Sequence, residues 1–152
     1  MYISDILNKK PLANPEKIIT CSDGDLVSAA IARMRKHNIG VVVILSNQHV
    51  AGIFTERDVV KGLSERGSEF LEMPLAEVMT WNVIVVKSTQ TVDDALTLML
   101  DHQFRHLPVV DGDMLVGVLS MRDLAMQKLD FVEQTVEFLK NQVHIGSHPL
   151  PM

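Results

Sequence analysis

The sequence predicts an α+β (mixed α/β) fold of tandem β-α-β-β-α repeats related by pseudo-two-fold symmetry, with a further helix at the C-terminus. Three observations predict it. A seven-residue pattern occurs twice, as Gly52-Ile53-Phe54-Thr55-Glu56-Arg57-Asp58 and Gly117-Val118-Leu119-Ser120-Met121-Arg122-Asp123. The same offset of 65 residues carries Val27 onto Val92, Ala30 onto Ala95, Met34 onto Met99 and His37 onto His102 without a gap. Each copy then runs in one order, short strand, helix, two strands, helix. A unit of this kind cannot bury its apolar face alone and is completed by its second copy, so function is expected where the copies meet.

In the first copy Ile18-Ile19-Thr20-Cys21 is predicted as a strand. Turn and N-cap chemistry follows at Ser22-Asp23-Gly24-Asp25, then a helix over about Leu26 to His37. Val27, Ala30, Ile31 and Met34 recur at helical spacing and form its buried stripe. Asn38-Ile39-Gly40 ends this helix. Val41 to Leu45 is a buried strand, Ser46-Asn47-Gln48-His49 a turn, and Val50 to Phe54 its hairpin partner, after which Thr55 opens a second helix. The second copy repeats the order with a strand over Val83 to Val86, a helix over Val92 to His102 and a hairpin across Asp111-Gly112-Asp113, where Asp-Gly is the stronger turn signal.

Ahead of each copy stands a short related segment, Ile3-Ser4-Asp5-Ile6-Leu7 and Leu75-Ala76-Glu77-Val78-Met79, here offset by 72 residues. The first copy therefore carries extra linker, placed at Lys9-Lys10-Pro11-Leu12-Ala13-Asn14-Pro15 with its two prolines. Glu65-Arg66-Gly67-Ser68 breaks the helix begun at Thr55, and Met73-Pro74 introduces the second copy. After Asp123, Leu129, Val132, Val136, Leu139 and Val143 alternate at steps of three and four, a coiled-coil-like seam of about two heptads. Gly146 and Pro149 end it. The chain thus divides into an N-terminal segment and linker (1–17), a first repeat (18–66), a second repeat with its lead-in (67–128), an amphipathic helix (129–145) and a tail (146–152).

At 152 residues the chain suits one compact domain. Hydrophobic residues make up 47% and charged residues 22%, the balance of a soluble globular protein. With 5% aromatic residues, the core must be mostly aliphatic. The single cysteine, Cys21, excludes an internal disulfide, and the polar start Met1-Tyr2-Ile3-Ser4-Asp5 does not resemble a signal peptide; together they favour the cytoplasm. Apolar runs such as Val41 to Leu45 are far too short to span a bilayer. A net charge of −5 argues against a general nucleic-acid binder, so any anion site must be a local basic pocket.

The two Gly-hydrophobic-x-Thr/Ser-x-x-Asp motifs, the repeated element order and the string Arg105-His106-Leu107-Pro108-Val109-Val110-Asp111 resemble the CBS domain family, whose paired repeats form a Bateman module. The resemblance covers nearly the whole chain, and small stand-alone bacterial CBS pairs are similar in their Ser-Asp-Ile-Leu and Thr-Glu-Arg-Asp stretches. It implies a non-catalytic sensor of adenosine-containing ligands such as AMP, ADP, ATP, NAD(H) and S-adenosylmethionine, held in the cleft between the repeats. Asp58 and Asp123 would accept hydrogen bonds from the ribose diol, since a carboxylate is acceptor-only and charge-assisted bonds are strong. Thr55 and Ser120 would stand at helix mouths facing phosphate, and Gly52 and Gly117 would let ligand or backbone come close. The alternative for each Thr/Ser-x-x-Asp is a capping box that merely satisfies helix-end donors, and one Asp can serve both roles.

Arg57 and Arg122 lie in a first helical turn, where the dipole disfavours a cation; phosphate contact and a solvated surface both remain open for them. Arg105 and His106 align with family positions that approach phosphate, whereas their first-copy counterparts are Gly40 and Val41. The pockets should therefore be unequal, with phosphate charge balanced mainly by the second repeat. Pro108 fits a family position where backbone reads the adenine edge while Leu107 and Val109 pack nearby; its counterpart is Val43. Thr20 and Val85 correspond on the first strands, and only Thr20 offers a hydroxyl.

No nucleophile, base or metal constellation suits catalysis, so neither an enzyme nor a catalytic cofactor is expected. His102 and His106 are separated by a helix end, and His144 and His148 lack a third ligand, so no metal site is expected. Cys21 is expected to be an inert core thiol and the nine methionines aliphatic filler. The expected function is sensing of cellular energy or redox state through an adenine nucleotide, relayed to an unidentified regulated protein by a symmetric homodimer. The rival is a ligand-free scaffold acting through its C-terminal helix, and the seam itself either dimerises or packs back on its own subunit.

Overall fold

Turn and cap residues set the ends of the elements in the computed structural model, which describes residues 1–9 and 18–146, with side chains to 143. The first half holds α1 (Ile3–Lys9), β1 (Thr20–Ser22), α2 (Val27–His37), β2 (Val41–Ser46), β3 (His49–Thr55) and α3 (Glu56–Arg66). A 3-10 turn (Gly67–Glu72) and α4 (Leu75–Val78) lead to β4 (Val86–Lys87), α5 (Val92–His102), β5 (His106–Asp111), β6 (Met114–Ser120) and α6 (Met121–Gly146). Asn38 and Gln103 end α2 and α5 in the left-handed region, and Gly67 ends α3 at φ 64°. Asn47 and Gln48 both take positive φ, the turn that matches the twist of the β2–β3 hairpin. Among the described residues no helix is long and apolar enough to cross a membrane.

Each half forms a three-stranded sheet, β1-β2-β3 and β4-β5-β6, with the first pair parallel and the second antiparallel. The predicted fold class holds, with four corrections to its elements. The first strand lies at Thr20–Ser22 rather than from Ile18. The strand expected over Val83 to Val86 is confined to Val86–Lys87. Thr20 pairs with Val43 in the first sheet, but Val85 would meet Pro108, which has no N–H for a ladder. The cap expected from Ser22 to Asp25 is not made by a side chain: Asp25 closes its own turn on the Ser22 N–H at 2.9 Å, and Leu26 is the N-cap. Finally, the C-terminal helix is no separate element, since α6 runs unbroken from Met121. The linker beyond Lys9, the His144 and His148 side chains, and Pro149 lie outside the described residues.

The lead-in segments pack crosswise. Ile3, Ile6 and Leu7 of α1 join Val92, Ala95, Met99, Leu107, Leu119 and Leu124 in the core of the second repeat. Leu75 and Met79, at α4, join Cys21, Val27, Ala30, Met34 and Phe54 in the core of the first. Matching backbone bonds fasten them. The Val92 N–H donates to the Met1 carbonyl at 3.0 Å and the Ile3 N–H to Gln90 at 2.9 Å; correspondingly, Val27 donates to Met73 at 2.9 Å and Leu75 to Asp25 at 2.8 Å. Partners are thus related by the 65-residue offset on one side and the 72-residue offset on the other, and each half is completed by a segment preceding the other.

Candidate functional site

Strand alternation sorts the second hairpin into two faces. Leu107, Val109 and Leu119 point into the helix-covered core, whereas His106, Pro108, Val118 and Ser120 share the opposite face. In the first hairpin the equivalent face carries Val41, Val43, Ile53 and Thr55, and the parallel pairing of Thr20 with Val43 adds Thr20. Val43 and Ile53 are buried although they point away from their own core. β3 lies against β6, so these two faces close on one another.

Both hairpins end in the same polar arrangement. Asp58 Oδ2 accepts the Thr55 N–H at 2.9 Å and its hydroxyl at 3.1 Å, while the Asp58 N–H donates to Thr55 Oγ1 at 3.3 Å. Asp123 Oδ2 accepts the Ser120 N–H at 2.9 Å, and the Asp123 N–H donates to Ser120 Oγ at 3.1 Å. The capping boxes therefore form, and each uses a single carboxylate oxygen. A third box, Thr91 with Asp94 at the start of α5, has the same geometry on an exposed helix end. Capping alone thus does not mark a site. What distinguishes Asp58 and Asp123 is partial burial at the end of the strands that meet between the repeats. The Thr91-x-x-Asp94 spacing was readable in the sequence by the same rule.

The second hairpin gathers more chemistry. His106 is the register partner of Ser120, and the Arg105 carbonyl accepts the Met121 N–H at 2.8 Å. Arg105, His106, Ser120, Arg122 and Asp123 thus occupy one end of one strand pair. In the first hairpin Gly40 stands in the place of Arg105, accepting from Glu56 at 3.1 Å, and Val41 faces Thr55. The side chains of Arg57 and Arg122 are exposed and bond no described residue. Leu107 is 0% exposed, so its side chain belongs to the core and only its backbone could serve a ligand. Pro108 lies just ahead of the first β4 pairing, where a residue without N–H is tolerated.

The glycines serve the protein's own chain. A Cβ on Gly52 would stand 2.6 Å from Met79 Sδ and 2.8 Å from the Thr80 carbonyl, and one on Gly117 would stand 2.6 Å from a Leu7 methyl. The crosswise lead-ins fill the space that a ligand was offered as one reason for. Sequence reasoning also missed Thr80, whose backbone exchanges two hydrogen bonds with Ile53, at 2.9 and 3.2 Å, and so borders the first-repeat face. Only the constant lead-in offset hinted at it. A separate pocket of about 170 Å³, lined by Met1, Val92, Asp93, Gln127, Lys128 and Phe131, shares no residue with the polar set.

The comparisons agree with this architecture. The family model described as CBS domain matches residues 3–65 and 75–129. An uncharacterised 17.7 kDa protein of Acidianus ambivalens is 37% identical over 126 residues, covering 82% of this chain and 74% of its own. A protein with CBS domains from Burkholderia ambifaria, of solved structure, is 35% identical with a TM-score of 0.77, over 86% of this chain and 95% of that one. The CBS domain pair of protein MJ0100, solved in complex with 5-methylthioadenosine and S-adenosyl-L-methionine, is 27% identical with a TM-score of 0.70, over 84% and 94%. With two matched repeats on one crosswise-packed body, the chain belongs to the CBS domain family.

Proposed function

We propose that this CBS pair binds an adenosine-containing nucleotide, AMP, ADP, ATP or NAD(H), between its repeats and relays energy or redox state to a regulated protein. CBS pairs are regulatory modules, and the MJ0100 pair holds two adenosine compounds. One observation carries the proposal: the grouping of Arg105, His106, Ser120 and Asp123 at the end of the β5–β6 pair. A ribose diol needs a carboxylate, a phosphate needs a cation and hydroxyl or amide donors, and this grouping supplies both. Asp123 would grip the ribose while its Oδ2 keeps the cap, with Arg105, His106 and Arg122 meeting phosphate. The backbone about Leu107 and Pro108 would line the base, with Thr20 reaching in from the first strand. Asp58, Thr55 and Arg57 would form a weaker second site, since Gly40 and Val41 bring no charge.

The working unit is a homodimer in the cytoplasm, and no chemistry beyond reversible binding is assigned to it. A signal passes only if ligand favours one arrangement over another, because equal affinity shifts nothing. Calorimetry with AMP, ATP and NADH tests the reading. At least one should give saturable heat, and Asp123→Ala should weaken it about tenfold or more, the worth of a charge-assisted bond. No heat with any of the three would leave the ligand-free scaffold. Unchanged affinity in Asp123→Ala would remove the ribose assignment.

A further inference from the structure

We propose that the apolar face of α6 is covered by α6 of a second copy of this chain, running antiparallel. The inference rests on the homodimer reading above and adds to it the surface and the register.

The helix starts inside the body, where Leu124 is fully buried, and then leaves it. From Leu129 to Val143 every residue is exposed, and the seam of Leu129, Val132, Val136, Leu139 and Val143 is between 43% and 71% exposed. Packing back on the same subunit, the other expectation for this seam, is therefore not what the described residues do. Phe131 and Phe138 are exposed farther round the helix, past Thr135 and Gln142, and Asp130, Glu137 and Asn141 lie across from the seam. An exposed apolar seam of five residues on an already formed helix marks an association surface.

Charge selects the occupant. With Leu129, Val136 and Val143 at the first core position of a heptad and Val132 and Leu139 at the second, Glu133 and Lys140 flank the seam on one side. Lys128, Thr135 and Gln142 flank the other. An antiparallel copy sets Val136 on the partner's Leu139 and Val132 on the partner's Val143. Glu133 then lies beside the partner's Lys140, and the two-fold axis repeats the same pair in reverse. Thr135 meets the partner's Gln142, so no like charges face each other. A parallel pair would instead set Glu133 against the partner's Lys128, which its own subunit already holds on Asp93 at 2.5 Å. It would also leave Lys140 beside the partner's Thr135. The antiparallel overlap of about 18 residues spans roughly 27 Å.

Light scattering at tens of micromolar, with circular dichroism to confirm folding, tests this. The wild-type chain should run as a dimer and Leu139→Asp as a single 17.0 kDa chain. Glu133→Lys and Lys140→Glu, each alone, should weaken the dimer about tenfold, because each turns both symmetric pairs repulsive; combined, they should restore it. A monomeric wild type would overturn the homodimer and this pairing together. A wild-type dimer that survives Leu139→Asp would overturn the pairing and leave a dimer through another surface. Loss on Leu139→Asp without rescue by the charge swap would overturn the antiparallel register.

Discussion

At the residue scale, the two motif glycines answer to different neighbours, and the difference is measurable. A methyl on Gly52 is stopped by the Thr80 backbone as well as by Met79, whereas one on Gly117 meets only the end of the flexible Leu7 side chain. Gly52→Ala should therefore cost about 1–3 kcal/mol of stability by overpacking, and Gly117→Ala clearly less. Urea unfolding of the two variants checks the order, and equal losses would refute the crosswise contacts as the cause. Cys21 offers a second test. Burial pushes its thiol above the ordinary 9.0, against the opposing hydrogen bond and charge of Arg33. A raised folded pKa gives stability that is full below the unfolded value and is lost as pH rises through the folded one. Native protein at pH 8 should react slowly with a thiol reagent and rapidly once denatured; fast native labelling would contradict an inert core thiol.

At the element scale, three helices begin with the same cap, and that repetition separates folding from function. Thr91→Ala should cost about 1 kcal/mol of stability, the usual worth of an N-cap, and leave nucleotide affinity unchanged. Ser120→Ala should cost a similar amount of stability and also weaken nucleotide binding several-fold. If both variants bind alike, Ser120 is only a cap. The comparison also shows how much the sequence discloses. α5, both hairpins and the capping boxes follow from signals within a few residues of one another, such as Asp111-Gly112 and Ser120-x-x-Asp123. The length of β4 does not, because it depends on Pro108, a residue more than twenty positions away that offers no N–H to the β4 backbone. The Leu26 cap is likewise hidden, since its neighbour Val27 donates to Met73 in a segment belonging to the other copy.

At the scale of the whole molecule, the crosswise lead-ins make each half depend on a segment preceding the other. The duplication was evident in the sequence, but the exchange was not: whether α1 reaches the near copy or the far one depends on the path of the intervening chain. The exchange predicts one cooperative transition. Ile6 is buried among Val92, Met99 and Leu119 of the second repeat, so Ile6→Ala should cost about 2–4 kcal/mol. That loss should lower a single melting temperature rather than split the transition in two, because neither half keeps its core alone. A nucleotide held between the repeats binds only the joined form, so at a hundredfold excess over its Kd it should add about 2.7 kcal/mol. For a chain of this length that is a rise of roughly 5–10 °C, and calorimetry should find the same rise in Ile6→Ala as in wild type. Two separate transitions would mean that the halves stand independently. A rise confined to one of them would place the ligand within a single repeat instead of between two.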